Sequence, residues 1–147
     1  MKILVLHGPN LGLLGSREPG IYGHLTLDDI NRQIADAASA FGVEVECKQT
    51  DIEGELVQWI GQAGKEVDGL IINPAAYTHT SVAIRDAISA SKLKTVEVHL
   101  SNTHAREEFR HTSLTAPVCV AQIQGFGPAG YALALKGLVD VLHSTED

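Results

Sequence analysis

Short, continuously apolar runs alternate along this chain with segments whose apolar residues recur at helical spacing. Residues 3–6 and 68–72 are the clearest of these runs, and each is followed closely by Pro and Asn. A strand in a parallel sheet is covered on both faces, so it carries such a run rather than an alternating pattern. The alternation of runs and helical segments therefore predicts an α/β fold with a parallel sheet.

The pattern resolves into five strands and four helices. The strands are predicted at residues 3–6, 43–48, 68–72, 95–100 and 118–123. The helices are predicted at residues 27–41, with Thr26 as the cap and Gly42 as the stop, and at residues 53–64, 81–91 and 128–142. Residues 101–117 are polar and irregular, with one short turn near residues 105–109. This order favours a flavodoxin-like, doubly wound five-stranded parallel sheet of order 2-1-3-4-5, in one catalytic domain over residues 1–147.

Charge and cysteine content limit the classes of partner that the chain can bind and indicate its cellular compartment. The 147 residues include 11 Lys plus Arg and 18 Asp plus Glu, a net charge of −7, which disfavours nucleic acid and anionic membranes as partners. No apolar stretch is long enough to span a membrane. Cys47 and Cys119 are far apart and form no metal-binding pair, so we expect two reduced thiols in a cytoplasmic protein.

A ligand site is expected at the carboxyl ends of the strands, because open α/β sheets bind ligands there. The segments at residues 7–23, 73–81 and 99–110 meet at that edge and bring together His79, His99, His104, Arg106 and Arg110. The chain has no phosphate-binding glycine motif, no His-based metal motif and no lysine that ends a predicted strand in an apolar setting. We therefore expect no cofactor, no metal and no Schiff base.

Three groups at this edge can carry chemistry. Strand alternation places Glu97 on the same side as His99, so the carboxylate can fix the imidazole as a general acid. The long loop at residues 7–23 is rich in glycine and suits a lid that carries Arg17 and Tyr22, although Tyr22 packing as an ordinary aromatic side chain is an equal alternative. The segment around His79 is expected to begin a helix. Its exposed backbone amides can bind hydroxyls or carboxylates of a ligand, or can be capped by the neighbouring Thr and Ser side chains.

Four blocks of sequence resemble type II 3-dehydroquinate dehydratases. They are Gly8-Pro9-Asn10-Leu11 with Leu14-Gly15-x-Arg17-Glu18-Pro19-x-x-Tyr22-Gly23, Asn73 to Ser81, Glu97 to Asn102 with Ala105 to Arg110, and Gly125-Phe126-Gly127 with Gly130-Tyr131. Together they span nearly the whole chain in the order and spacing of that family. The resemblance implies a flavodoxin-like fold and conversion of 3-dehydroquinate to 3-dehydroshikimate, in the shikimate pathway of aromatic amino acid biosynthesis or in quinate catabolism.

The same resemblance implies a role for each site residue. It makes Tyr22 a phenolate base whose pKa is lowered by Arg17, Asn10 an enolate stabiliser, and His99 the acid that Glu97 orients. The implied substrate-binding residues are Asn73, His79, Asp86, Leu100, Ser101 and Arg110. Asp86 is expected to reach the site of a neighbouring subunit, in a homo-oligomer that is a dodecamer built from trimers.

Three other functions are compatible with the fold pattern. The chain could be a flavodoxin-like module that binds a flavin or nucleotide, a structural oligomer without activity, or a hydro-lyase for a different hydroxy acid. Colour or tight flavin binding would favour the first, and the presence of Arg17, Tyr22 and His99 argues against the second.

Overall fold

A five-stranded parallel sheet forms the centre of the computed structural model, which describes residues 1–16, 20 and 24–144. The strand order is β2-β1-β3-β4-β5, which confirms the predicted fold class and topology. The strands are β1 (Lys2–His7), β2 (Glu44–Gln49), β3 (Gly69–Asn73), β4 (Lys94–His99) and β5 (Ala121–Gln124). The partly exposed β2, whose apolar residues alternate with charged ones, lies at one edge of the sheet.

Helices cover both faces of the sheet. Those in the described part of the chain are α1 (Leu27–Phe41), α2 (Glu53–Ala63), α3 (Val82–Ser91) and α4 (Ala129–Ser144). Helices α1 and α4 pack on one face, where Ile34 and Leu138 share a buried apolar cluster. Helices α2 and α3 pack on the other face, where Ile60 and Ile88 share a second cluster. No helix among these residues is both long enough and apolar enough to cross a bilayer.

Helix α1 begins and ends where its sequence predicts. The Thr26 hydroxyl accepts a hydrogen bond from the Asp29 amide at 3.1 Å, and the Asp29 carboxylate accepts one from the Thr26 amide at 3.0 Å. This reciprocal capping box satisfies two amides that a helix N-terminus leaves unpaired. The helix stops at Gly42, whose φ of 71° is a left-handed conformation that glycine adopts without steric cost.

The last strand begins later than its apolar pattern predicts. The prediction starts β5 at Val118, whereas the strand starts at Ala121 because Ala116–Val118 form a 3₁₀ turn that contains Pro117. Two further 3₁₀ turns, Thr103–Ala105 and Glu108–Arg110, lie in the segment between β4 and β5. That segment folds over the carboxyl edge of the sheet.

Strand register places the ends of three strands side by side. His7, the last residue of β1, pairs with Gln49 of β2 and with Asn73 of β3. Beyond this row the chain leaves β1 and β3 in loops that stay close together, since the Gly8 amide donates to the Asn73 carbonyl at 2.8 Å. β2 and β3 lie on opposite sides of β1, so the chain leaves β1 and β3 in opposite directions along the sheet. The crevice between the loops that follow these two strands is the topological switch, where such sheets bind ligands.

Candidate active site

A cavity of about 400 Å³ lies at the carboxyl edge of the sheet, over the ends of β1, β3 and β4. Its walls are the loop after β1, the turn after β3, and the segment that follows β4. Seven of the residues predicted from the sequence line it: Asn10, Asn73, His79, His99, Leu100, Ser101 and Arg110. The structure thus brings together side chains that are widely separated in the sequence.

Behind this cavity, Glu97 is fully buried and holds His99 through a hydrogen bond of 2.9 Å between Oε2 and Nε2. The same Oε2 accepts from Ser113 at 2.9 Å and from the Gln122 amide at 2.7 Å, while Oε1 accepts from the Thr115 hydroxyl. A buried carboxylate with this many donors is stabilised in its charged form.

The charge state of Glu97 decides which nitrogen of His99 faces the substrate. Burial alone raises the pKa of Glu97, but the hydrogen bond and charge of His99, with the hydroxyls of Thr115 and Ser113, hold that pKa below its usual value. An ionised carboxylate only accepts, so Nε2 of His99 carries a proton and Nδ1 is the nitrogen available to a ligand. Nδ1 can donate a proton to a ligand only when both nitrogens of the ring carry protons.

Asn10 enters the cavity from a strained backbone. Its φ is 69°, a left-handed conformation that asparagine tolerates better than most residues. The loop before it presses against the turn after β3, because a Cβ on Gly8 would lie 2.7 Å from the Pro74 carbonyl oxygen. Only glycine permits this approach, which keeps two walls of the cavity in contact.

The Asn73 amide has a fixed orientation. Its Oδ1 accepts from the Ala75 amide at 3.0 Å, and its Nδ2 donates to the Tyr131 hydroxyl at 3.2 Å. Tyr131 in turn lies 2.9 Å from Nδ1 of His7, and Nε2 of His7 lies 2.8 Å from Oδ1 of Asn31. A run of hydrogen bonds therefore leads from the cavity wall through the core to helix α1.

The groups of this buried run are electrically neutral. Burial lowers the pKa of His7 to about 4, despite the opposing hydrogen bond to Asn31. Burial likewise raises the pKa of the Tyr131 phenol well above its usual value. Because Asn31 offers an oxygen, His7 carries its proton on Nε2 and accepts from Tyr131 at Nδ1.

Donor groups ring the opening of the cavity. Arg110 pairs with Glu107 at 3.2 Å, and Arg106 lies 3.9 Å from the same carboxylate and 3.5 Å from the Ser101 hydroxyl. Nδ1 of His79 donates to the Thr112 carbonyl at 2.8 Å, because a carbonyl oxygen only accepts. This leaves the Nε2 atom of His79 as a hydrogen-bond acceptor in the neutral imidazole.

A second cavity of about 340 Å³ adjoins the first and shares His79, His99 and Arg110 with it. Two further imidazoles line it, those of His104 and His111, whose ring centroids are 5.8 Å apart. Both cavities therefore offer guanidinium donors together with imidazole nitrogens, which suit oxygen-rich, anionic ligands.

Four predicted residues are not among the described residues that line the cavities, and one of them is Glu97, which lies behind the first cavity. Arg17 and Tyr22 lie outside the described residues. Asp86 is exposed on helix α3 and lines neither cavity. The sequence pattern gives no sign of Asp51, Ser113, Thr115 or Gln122, and it gives Tyr131 no role in the site. Their partners are remote in the sequence, so only the Gly-Tyr motif at Tyr131 carried any signal.

The chain is similar to a well-populated group of enzymes. Residues 1–139 match the family model described as "Dehydroquinase class II". A 3-dehydroquinate dehydratase of Geotalea daltonii is 59% identical over 138 residues, which are 94% of this chain and 96% of that protein. A 3-dehydroquinate dehydratase of Trichodesmium erythraeum is 57% identical over 146 residues, covering 99% of this chain and 97% of the relative.

Solved structures give the same grouping. The type II dehydroquinase of Butyrivibrio crossotus superposes with a TM-score of 0.92 at 48% identity, covering 95% of this chain and 97% of the other. That of Propionibacterium acnes superposes with a TM-score of 0.91 at 45% identity, covering 95% and 96%.

Proposed function

The chain belongs to the class II dehydroquinase family, and we propose that it is a hydro-lyase that converts 3-dehydroquinate to 3-dehydroshikimate and water. Relatives of nearly the same length with more than half of their residues identical carry the name of this activity. The structural observation that carries the proposal is the buried Glu97–His99 pair at the wall of the cavity. The reaction serves the shikimate pathway or quinate breakdown.

Loss of water from a β-hydroxyketone needs a base, a group that stabilises the enolate, and an acid. We assign the base to Tyr22, acting as a phenolate whose pKa the neighbouring Arg17 lowers, from the sequence resemblance alone. The base removes the proton beside the ketone, and the electron pair moves into an enolate that Asn10 stabilises. His99 then gives its Nδ1 proton to the leaving hydroxyl, which departs as water.

The lining of the cavity supports the assignment of the substrate contacts. We propose that the Leu100 and Ser101 amides, with the Ser101 hydroxyl, hold the carboxylate. Asn73, His79 and Arg110 then hold the ring hydroxyls, which agrees with their positions around one cavity. Neither an imine nor a metal ion is required by this scheme.

A direct assay tests the function. The product is a conjugated enone, so turnover of 3-dehydroquinate is followed by ultraviolet absorbance, with and without prior treatment with borohydride. We expect turnover that survives borohydride, since no lysine imine forms. A folded protein without turnover would refute the proposed activity and would favour a binding module, which a flavin and nucleotide screen would then address.

Substitutions test the assigned acid and base. A general acid or base contributes about 10²–10⁴-fold to rate, so we expect Tyr22→Phe and His99→Ala each to lose at least ~100-fold in kcat with the fold retained. Lys136→Gln, an exposed change on helix α4, is the control. Near-normal kcat in either site variant would remove that residue from the mechanism.

We also propose a homo-oligomer, a dodecamer built from trimers, in which Asp86 of one copy completes the site of the next. The exposure of Asp86 and the donors of the second cavity, Arg110 and His104, are consistent with an incoming carboxylate. Hybrid oligomers that mix His99→Ala and Asp86→Ala subunits should regain activity that each variant lacks alone. Sedimentation equilibrium measures the size, and hybrids without recovery would contradict a shared site.

The compartment is proposed on chemical grounds. Cys47 and Cys119 are both free thiols, and free thiols are usual in the reducing cytoplasm. We therefore propose a cytoplasmic enzyme.

A further inference from the structure

Asp51, just beyond the end of β2, connects the two loops that flank the cavity. Its Oδ1 accepts from the backbone amide of Asn10 at 2.9 Å and from Nε2 of Gln49 at 3.0 Å. Its own carbonyl oxygen accepts from the hydroxyl of Tyr77 at 2.8 Å. Asn10 follows β1, and Tyr77 lies in the turn after β3, so one exposed residue joins loops from both sides of the topological switch.

Asp51 binds the backbone amide of Asn10 itself, and this contact bears directly on the backbone conformation of Asn10. A left-handed backbone is strained in a residue other than glycine, so other contacts must hold Asn10 in place. The hydrogen bond to Asp51 fixes the peptide between Pro9 and Asn10, and thereby the direction in which the Asn10 side chain leaves the backbone. Gln49 supports the same loop through a bond of 3.2 Å from Nε2 to the Gly8 carbonyl.

The loop after β1 is therefore held on two opposite sides. On the side of β3, the Gly8 amide donates to the Asn73 carbonyl, a backbone contact that does not depend on Asp51. On the side of β2, the contacts run through the side chains of Asp51 and Gln49. Loss of the Asp51 carboxylate frees the loop on that side only, so the strand and its packing remain.

We propose that Asp51 is a positioning residue for Asn10, and that it sets the rate of the chemical step without touching the substrate. The proposal rests on the proposed function, in which Asn10 stabilises the enolate. An enolate-stabilising group contributes through its position in the transition state, so a misplaced Asn10 lowers kcat more than it changes KM.

The kinetic test is a double-mutant cycle. Asp51→Ala should lower kcat roughly 10-fold or more, with a smaller change in KM. Asp51→Asn keeps an acceptor oxygen and should recover most of the lost turnover. Asn10→Gly removes the side-chain amide without straining the left-handed backbone. Asp51→Ala should therefore add little to the loss of kcat in an Asn10→Gly background.

Asp68→Ala is the matched control. The Asp68 carboxylate also accepts a backbone amide bond, from Lys2 at 2.8 Å, but at the opposite end of β1 and far from the cavity. Its kcat should equal that of the wild type. Any one of three results would overturn the proposal. These are an unchanged kcat in Asp51→Ala, equal losses of kcat in Asp51→Asn and Asp51→Ala, and independent losses of kcat in the double variant.

A readout without substrate separates this proposal from the proposed function. Hydrogen exchange by mass spectrometry follows the peptide that contains Asn10 in the oligomer as purified. Exchange there should accelerate in Asp51→Ala and stay slow in Asp51→Asn and Asp68→Ala. If the wild type fails to turn over 3-dehydroquinate while this pattern holds, the proposed function falls and the link from Asp51 to Asn10 stands. Equal exchange in all variants refutes that link whatever the turnover.

Discussion

Lowering the pH from 6.5 to 4 should destabilise this protein mainly through one buried imidazole. His7 is 0% exposed, and burial lowers its pKa from 6.5 to about 4 in the folded chain. In this range the unfolded chain binds a proton at His7 and the folded chain does not, so the free energy of unfolding falls as the pH falls. The contribution is fully present above pH 6.5 and is lost on the way down to pH 4.

The size of the effect follows from the shift. One pKa unit corresponds to about 1.4 kcal/mol, so a shift from 6.5 to about 4 amounts to about 3 kcal/mol. Glu97 also has a lowered pKa, but its contribution is present above the ordinary carboxyl pKa and is lost only below about pH 4.3. Between pH 6.5 and 4.5 the contribution of Glu97 therefore stays nearly constant, whereas that of His7 changes.

Urea unfolding at several pH values within this interval measures the slope. The wild type should lose about 1.4 kcal/mol per pH unit through this group, and His7→Gln, which cannot titrate, should lose that slope. His143→Gln, at the exposed end of helix α4, should keep it. All samples need one protein concentration, because dissociation of the proposed oligomer would otherwise change the unfolding midpoint.

Only the slope enters the argument, so a uniform loss of stability in His7→Gln does not affect it. If that variant fails to fold, His7→Asn serves the same purpose. An equal slope in the wild type and in either variant would refute the assignment of the acid sensitivity to His7.

Two further predictions address the cavity walls. Glu97→Ala leaves buried donors without their acceptor, so it should lower the free energy of unfolding by about 3 kcal/mol in urea titrations. A decrease below ~1 kcal/mol would show instead that water readily enters the site and binds these donors. Gly8→Ala places a Cβ 2.7 Å from the Pro74 carbonyl oxygen and should reduce kcat. The control is Gly61→Ala, whose Cβ meets no atom within 4 Å. It should stabilise helix α2 by about 1 kcal/mol without loss of kcat. Equal kcat in the two glycine variants would argue against the close approach of the two loops.

The sequence predicts most of the fold because the local signals agree with one another. Thr26 and Gly42 mark the ends of α1, and the apolar runs mark β1 and β3 at the positions where the strands occur. The start of β5 is three residues later than predicted, because Val118 belongs to a turn that Pro117 helps to form. Apolar content alone does not distinguish the two conformations.

The site is predictable only where partners are close in sequence. Strand alternation places Glu97 beside His99, and the structure joins them. The contact between Asp51 and Asn10 spans two different strand ends, and the one between Tyr131 and Asn73 joins a helix to a strand. Such contacts depend on sheet register and on helix packing, which no local pattern reveals.

The fixed orientation of the Asn73 amide determines which chemical groups of a ligand the cavity can accept beside it. Its oxygen is occupied by the Ala75 amide, and turning the group over would set two N–H donors against each other. Tyr131, His7 and Asn31 continue the same donor-to-acceptor direction, so reversal at one member would require reversal at all. The second hydrogen of the Asn73 amide is the one that remains for a ligand. An oxygen that accepts is matched there, whereas an ammonium group in the same place meets a donor and is discriminated against.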